Sequence, residues 1–160
     1  MTATETPETL DTGNDRVRSA RITVNAPAAD VFDLVARPAN HPRFDGSGTV
    51  TSPSFGPDRL SLGSRFGMSM RLVVPYRITN TVMEFDEGRL IAWRHLGGHR
   101  WRYELEPLTD SSTLVTETFD GTTSRFPPSL RLMNAYENNT RSMMRTLVEL
   151  KRIAEDALTD

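Results

Sequence analysis

At 160 residues, with 37% hydrophobic and 25% charged side chains, the chain has the size and composition of one soluble globular domain able to bury a real core. A formal charge of -2 with no lysine-rich run argues against nucleic acid as the main partner, and the absence of cysteine excludes disulfides, thiolate zinc sites and cysteine nucleophiles. No apolar run is long enough to cross a membrane, and the N-terminus lacks the apolar core of a signal peptide, so the expectation is a cytoplasmic protein with no integral membrane segment.

In chain order, residues 1–15 are Thr, Glu, Asp and Pro with an isolated Leu10, a composition predicted to stay a disordered tail before one domain over 16–158. Val17 to Val24 alternates, with Ala20, Ile22 and Val24 on one side of a first strand. Asn25-Ala26-Pro27 opens a helix whose buried set is Val31, Phe32, Leu34 and Val35. Arg37-Pro38 breaks it, and Pro38 to Phe44 reads as a second short helix or turn, with His41-Pro42 at a bend. Gly48 to Ser52 is a weak strand and Ser52 to Leu62 a loop. Phe66, Met68, Met70 and Leu72 then alternate with polar neighbours in a two-faced strand. Tyr76–Phe85, Arg89–Leu96, His99–Glu106 and Thr113–Asp120 follow as strands, with Gly97-Gly98 as a two-residue hairpin signal.

The last stretch organises the rest. Pro127-Pro128 suits a helix start, and no proline or glycine follows. Leu130, Met133, Tyr136, Thr140, Met144, Leu147, Lys151, Ala154 and Leu158 recur three or four apart, widened by Met143, Val148 and Leu150, which predicts one amphipathic helix from Pro127 to Ala157. A lone long helix among strands buries its stripe against a sheet. The predicted class is therefore α+β: a seven-stranded curved antiparallel sheet around a long C-terminal helix, with two short helices between strands 1 and 2. The first half of that helix carries Asn134, Glu137, Asn138, Asn139 and Thr140. Either it emerges into solvent or it roofs a wet or ligand-filled hollow, since polar groups avoid a dry core without partners.

This order of elements resembles the START-like, or SRPBCC, superfamily with its helix-grip fold (the fold of Bet v 1-like proteins), and within it the bacterial polyketide cyclase/dehydrase-type group. The residues that carry the resemblance are APAADVFDLV over 26–35, Arg37-Pro38, His41-Pro42-Arg43-Phe44, Leu62 to Phe66, Arg89 to Trp93, Thr113 to Glu117 and the final helix, within about 17–157. The resemblance implies a cavity between sheet and helix for a small hydrophobic molecule such as a lipid or polyketide. In a few members it implies cyclase or dehydratase activity. It implies no metal or organic cofactor and supplies no shared catalytic motif.

The inward face should carry Phe66, Met68, Met70, Ile78, Val82, Ile91, Trp93, Trp101, Tyr103, Leu105, Val115 and Phe119. Most of these would fill a core, and aromatic rings and thioethers among them suit an apolar ligand of variable shape. With Met133, Tyr136, Glu137, Thr140 and Met144 from the helix, they are the candidate ligand-binding residues. Asn80, His95 and Glu117 fall on the same face, so His95, Glu117 and Tyr103 are the candidate acid/base and orienting groups. The competing reading pairs Glu117 with Arg102 or Arg94 and leaves His95 at a wet strand end.

His41, His95 and His99 match no metal-ligand spacing, and His99 is placed off the Trp101 face, so no metal is expected. Arg94, Arg100 and Arg102 are read as a solvated face pairing Glu104 and Glu106. The functional expectation is a module that binds a small hydrophobic or amphipathic ligand, as monomer or homodimer. The alternatives are a cyclase/dehydratase and, from the resemblance, a protein-interaction or toxin–antitoxin component, for which an exposed patch near Phe44, Phe55 and Leu60 would speak.

Overall fold

The computed structural model describes residues 5–159; residues 1–4 of the expected tail lie outside the described residues. Among the described residues, eight strands form one antiparallel sheet in the order β1-β2-β8-β7-β6-β5-β4-β3. They are β1 (Glu8–Leu10), β2 (Val17–Val24), β3 (Val50–Phe55), β4 (Arg65–Arg71), β5 (Pro75–Asp86), β6 (Leu90–Arg94), β7 (Arg100–Thr109) and β8 (Ser112–Asp120). Helices α1 (Ala28–Ala36) and α2 (His41–Phe44) lie between β2 and β3, and α3 (Pro127–Leu132) and α4 (Ala135–Asp156) close the chain.

The expected count of seven strands becomes eight because part of the expected tail is ordered. Glu8, Thr9 and Leu10 pair with Arg21, Ala20 and Ser19 of β2, and Glu8 Oε1 accepts from Arg21 Nε at 2.6 Å. Composition sees few apolar groups there, whereas an unpaired strand edge offers backbone partners whatever the side chains are. The expected loop over 52–62 is also partly strand. β3 continues through Pro53 to Phe55, with two register shifts against β4. It is the outer strand of the sheet, where proline and bulges are tolerated.

The predicted single helix is two. Met133 closes α3, and Asn134 takes φ 51°, ψ 38°, the left-handed region that asparagine visits more readily than other side chains. Asn138 Nδ2 donates to the Met133 carbonyl at 3.3 Å, satisfying an end of α3. From there α4 runs to Asp156 and packs on β2 and β8.

The buried set of α4 is Tyr136, Met143, Thr146, Leu147, Leu150, Ile153 and Ala154, so Val148 and Leu158, expected in the stripe, are exposed. Met143, Leu147 and Leu150 are fully buried, each contributing about 1.5–3 kcal/mol through burial. Polar tethers assist: Lys151 Nζ donates to the Thr23 carbonyl at 2.9 Å, and Glu155 accepts from the Asn25 amide at 2.8 Å. Such partly exposed contacts contribute about 1 kcal/mol or less, so apolar burial is what holds the helix. Gly46, after α2, donates its N–H to Thr146 Oγ1 at 2.9 Å, and a Cβ there would collide with the Ser142 carbonyl and Thr146 backbone. That close approach pins the α2–β3 connection against α4.

The hairpin between β6 and β7 has a three-residue loop, Leu96 to Gly98, rather than the two-residue Gly97-Gly98 turn. The Gly98 N–H donates to the His95 carbonyl at 2.9 Å and the His95 N–H to the His99 carbonyl at 3.0 Å, with Gly98 at φ 96°. This is a turn followed by a left-handed residue. It sets His95 opposite His99, their rings stacked at 4.6 Å.

Candidate functional site

Between the concave sheet face and the first half of α4 lies a cavity of about 790 Å³. Its cause is a change of side-chain size along one helix face. Leu147, Leu150 and Ile153 reach the sheet, whereas Ala135, Asn138, Asn139 and Ser142, one to three turns earlier, are short and line the hollow together with Thr146. The sheet supplies Met68 and Met70 from β4, Ile78 and Asn80 from β5, Trp93 from β6, Trp101 and Tyr103 from β7, and Glu117 from β8. His41 and Phe44 of α2 also line it. Other lining residues are exposed and apolar, among them Leu72 at 73%, Leu96 at 71%, Phe126 at 70% and Met133 at 68%, and they form a greasy mouth.

Register makes the polar centre. Tyr103 and Glu117 face each other across β7 and β8, and the Tyr103 hydroxyl donates to Glu117 Oε1 at 2.9 Å. Both are buried. Burial pushes the Glu117 carboxyl up to about 8; the Tyr103 hydrogen bond opposes this and the Asp45 carboxylate adds to it. Burial, then the neighbouring Glu117, hold the Tyr103 phenol well above its ordinary value. The carboxyl is therefore largely protonated at neutral pH. Glu117 Oε2 and Asn80 Oδ1 are buried without a hydrogen-bond partner among the described residues.

The three histidines stay neutral. Burial brings His41 down to about 4, against the Val35 carbonyl, which accepts from its Nε2 at 2.8 Å. The His41 ring stacks on Trp93 at 5.1 Å. Burial, then repulsion from His95, brings His99 to about 4, and burial also lowers His95.

The structure divides the expected lining. Met68, Met70, Ile78, Asn80, Trp93, His95, Trp101, Tyr103, Glu117 and Met133 line the cavity. Phe66, Val82, Ile91, Val115 and Phe119 are buried core residues that do not. Tyr136 packs edge-on to Phe119 at 5.7 Å and lies against Gly121. Glu137 is exposed and pairs with Arg18 at 3.6 Å, and Thr140 turns back to the Tyr136 carbonyl at 2.7 Å. Met144 is half-buried against the core, away from the cavity.

Many lining residues lie outside the expected set for want of context, and His41, Ser142, Thr146 and His99 show why. His41 sits in a segment read as a bend, and Ser142 and Thr146 lie a step around the helix from the apolar stripe. His99 lines the cavity and packs on Phe119 at 5.4 Å; being two residues from Trp101, it shares that face, so its expected placement is corrected. Glu117 pairs with Tyr103 rather than an arginine, while Arg100 and Arg102 meet Glu84, and Arg102 also Glu104, on the other face. Of the expected interaction patch, Phe44 and Leu60 are buried and only Phe55 is exposed. Among the described residues no cluster of three or more His, Asp or Glu is placed to hold a metal, and no helix is long and apolar enough to cross a membrane.

An eight-stranded antiparallel sheet gripping a long helix over a hollow is the helix-grip architecture of the SRPBCC, or START-like, superfamily. The chain belongs to the Polyketide_cyc2 family, described as "Polyketide cyclase / dehydrase and lipid transport", which it matches over residues 16–155. It is 46% identical over 112 residues to the uncharacterized protein Rv0088 of Mycobacterium tuberculosis, an alignment covering 69% of this chain and 50% of that protein. The chain thus spans about half the length of the curated relatives it matches. Among solved structures, protein NE0264 from Nitrosomonas europaea superposes with a TM-score of 0.70 at 14% identity, covering 94% of this chain and 100% of that one. The Polyketide_cyc-like protein Cgl2372 from Corynebacterium glutamicum gives 0.59 at 20%, covering 89% and 93%. At these identities the likeness is one of fold.

Proposed function

We propose that this protein binds a small hydrophobic or amphipathic molecule, lipid-like or polyketide-like, in the cavity under the first half of α4. The observation that carries this reading is the hollow of about 790 Å³, walled by Trp93, Trp101, Met68, Met70 and Ile78 with a few polar groups among them. Concave, mostly apolar sites of this size with sparse convergent polar groups are the usual form of small-molecule sites. The family's description, with both polyketide chemistry and lipid transport, supports the same class of ligand. Native mass spectrometry of the full chain from its own host, with extraction into organic solvent, tests it. A stoichiometric hydrophobic molecule is the expected result. The reading fails if no such molecule is retained and the neutral dye Nile red does not bind.

A second reading is favoured by one observation, the buried Glu117 carboxyl that holds its proton near neutral pH beside the Tyr103 hydroxyl. A carboxyl so placed suits general acid work in a dehydration: its proton goes to the leaving hydroxyl as the C–O bond breaks and water departs, and the Glu117 carboxylate so formed takes the proton from the neighbouring carbon as the double bond forms. The extracted molecule would then return from incubation lighter by one water with the native chain, and unchanged with Glu117→Gln. Unchanged mass with both removes the enzymatic reading and leaves the binding one.

A further inference from the structure

Charge and hydrogen-bond capacity narrow the ligand further than shape does. Among the described residues, no lysine or arginine lines the cavity, and its only acidic lining residues are Asp45 and Glu117. Asp45 is already engaged, its carboxylate accepting from the Ser47, Thr49 and Val50 amides at 3.1, 3.1 and 3.0 Å. The histidines of the wall add no positive charge at neutral pH. A carboxylate or phosphate entering this space would shed its hydration and meet no cation, which is costly in a low-dielectric site.

The wall also carries two orphaned polar atoms, Asn80 Oδ1 and Glu117 Oε2, on side chains that are each 3% exposed. Buried polar atoms are nearly always paired, and an unmade hydrogen bond costs more than a made one returns. Between them lie Trp93 on β6 and Tyr103 on β7, the two strands that separate β5 from β8, with their rings 5.7 Å apart as an aromatic wall. An amide oxygen accepts a hydrogen bond, and a protonated carboxyl donates one. A hydroxyl answers both, donating at Asn80 and accepting at Glu117. A carboxylate cannot donate and an ether cannot either. An alkylammonium can donate but cannot accept.

We infer that the cavity selects uncharged ligands whose apolar body carries hydroxyl groups, placed at Asn80 and Glu117 on either side of the Trp93–Tyr103 wall, and that it rejects fatty-acid-like anions. This rests on the binding function proposed above. The test is displacement of Nile red from the full chain at pH 7 by four ligands of one flexible length: 1-decanol, methyl decyl ether, decanoate and decylammonium, with 1,10-decanediol as the two-hydroxyl member. The alcohol should displace the dye at roughly tenfold lower concentration than the ether, the worth of about one hydrogen bond. The diol should do at least as well, and decanoate should be weaker still.

In Asn80→Leu and Glu117→Leu, which remove the orphaned atoms at similar volume, the preference of alcohol over ether should narrow several-fold, whatever each variant's own affinity for the dye. A cooperative thermal melt shows that each variant is folded. Equal displacement by ether and alcohol, or tighter binding of decanoate or decylammonium, overturns this inference and leaves ligand binding intact. Failure of Nile red and all five ligands to bind the native chain removes the proposed function and this inference with it.

Discussion

The two halves of α4 lie against one sheet and do opposite things. From Met143 onward the helix presses Leu147, Leu150 and Ile153 onto β2 and β8 with nothing between. From Ala135 to Ser142 the same face carries alanine, asparagine and serine, and about 790 Å³ opens beneath it. The difference shows how this fold divides its labour. One end anchors the helix by apolar burial, and that anchoring lets the other end span a hollow. A cavity is a stability cost that only a well-packed neighbour can offset.

Mutations that treat the halves alike should expose the contrast. The largest effect is expected at Leu150→Ala, which should lower unfolding free energy by about 2–5 kcal/mol in denaturant titration. Ser142→Leu, in the spanning half, should leave stability within about 1 kcal/mol yet weaken Nile red binding by filling the hollow. A large loss of stability in Ser142→Leu, or none in Leu150→Ala, would break the comparison.

Next comes Glu117. Its folded value near 8 lies above its ordinary 4.5, so folded protein holds a proton that unfolded chain has lost. The stability this group contributes is full below about 4.5 and declines as pH rises towards 8. Relative to Glu117→Gln, the native chain should lose a few kcal/mol across that window, at about 1.4 kcal/mol per pKa unit. His41 and His99, whose depressed values act in the opposite sense as pH falls from 6.5 towards about 4, cancel in this comparison because both proteins carry them. A flat difference between the two pH profiles would place the carboxyl in water.

At Gly46, which sets the α2–β3 connection against the boundary between the halves, Gly46→Ala should cost about 1–3 kcal/mol through overpacking against backbone. The smallest effect is expected where the helix breaks. Asn134→Ala should cost about 1 kcal/mol, whereas Asn134→Gly should be close to neutral. Thermal melts resolve both. Equal effects would mean that the left-handed turn does not depend on the residue that makes it.

Strand phase was legible in the chain. Period-two alternation places Trp93, Trp101, Tyr103 and Glu117 on one face, and in the structure all four line the cavity. Alternation cannot separate a residue that lines a hollow from one that fills a core. Val82 and Ile91 share the strands and face of Ile78 and Trp93, yet they are covered. That distinction depends on where the helix crosses the sheet. The helix shows the same limit, since its period identifies a stripe but not its final rotation, which puts Ser142 and Thr146 over the hollow and Tyr136 into the core.

By itself the sequence determined the order of elements, the antiparallel hairpins and the apolar faces, because those follow from local periodicity, turn chemistry and proline. Tertiary structure alone decided the partner of Glu117, the burial of His41 on Trp93, the edge strand β1 and the break at Asn134. The first three are contacts between residues distant in the chain, and the last is a left-handed turn closed by Asn138 on the Met133 carbonyl. Local propensity carries no information about such contacts until the sheet has curled around its helix.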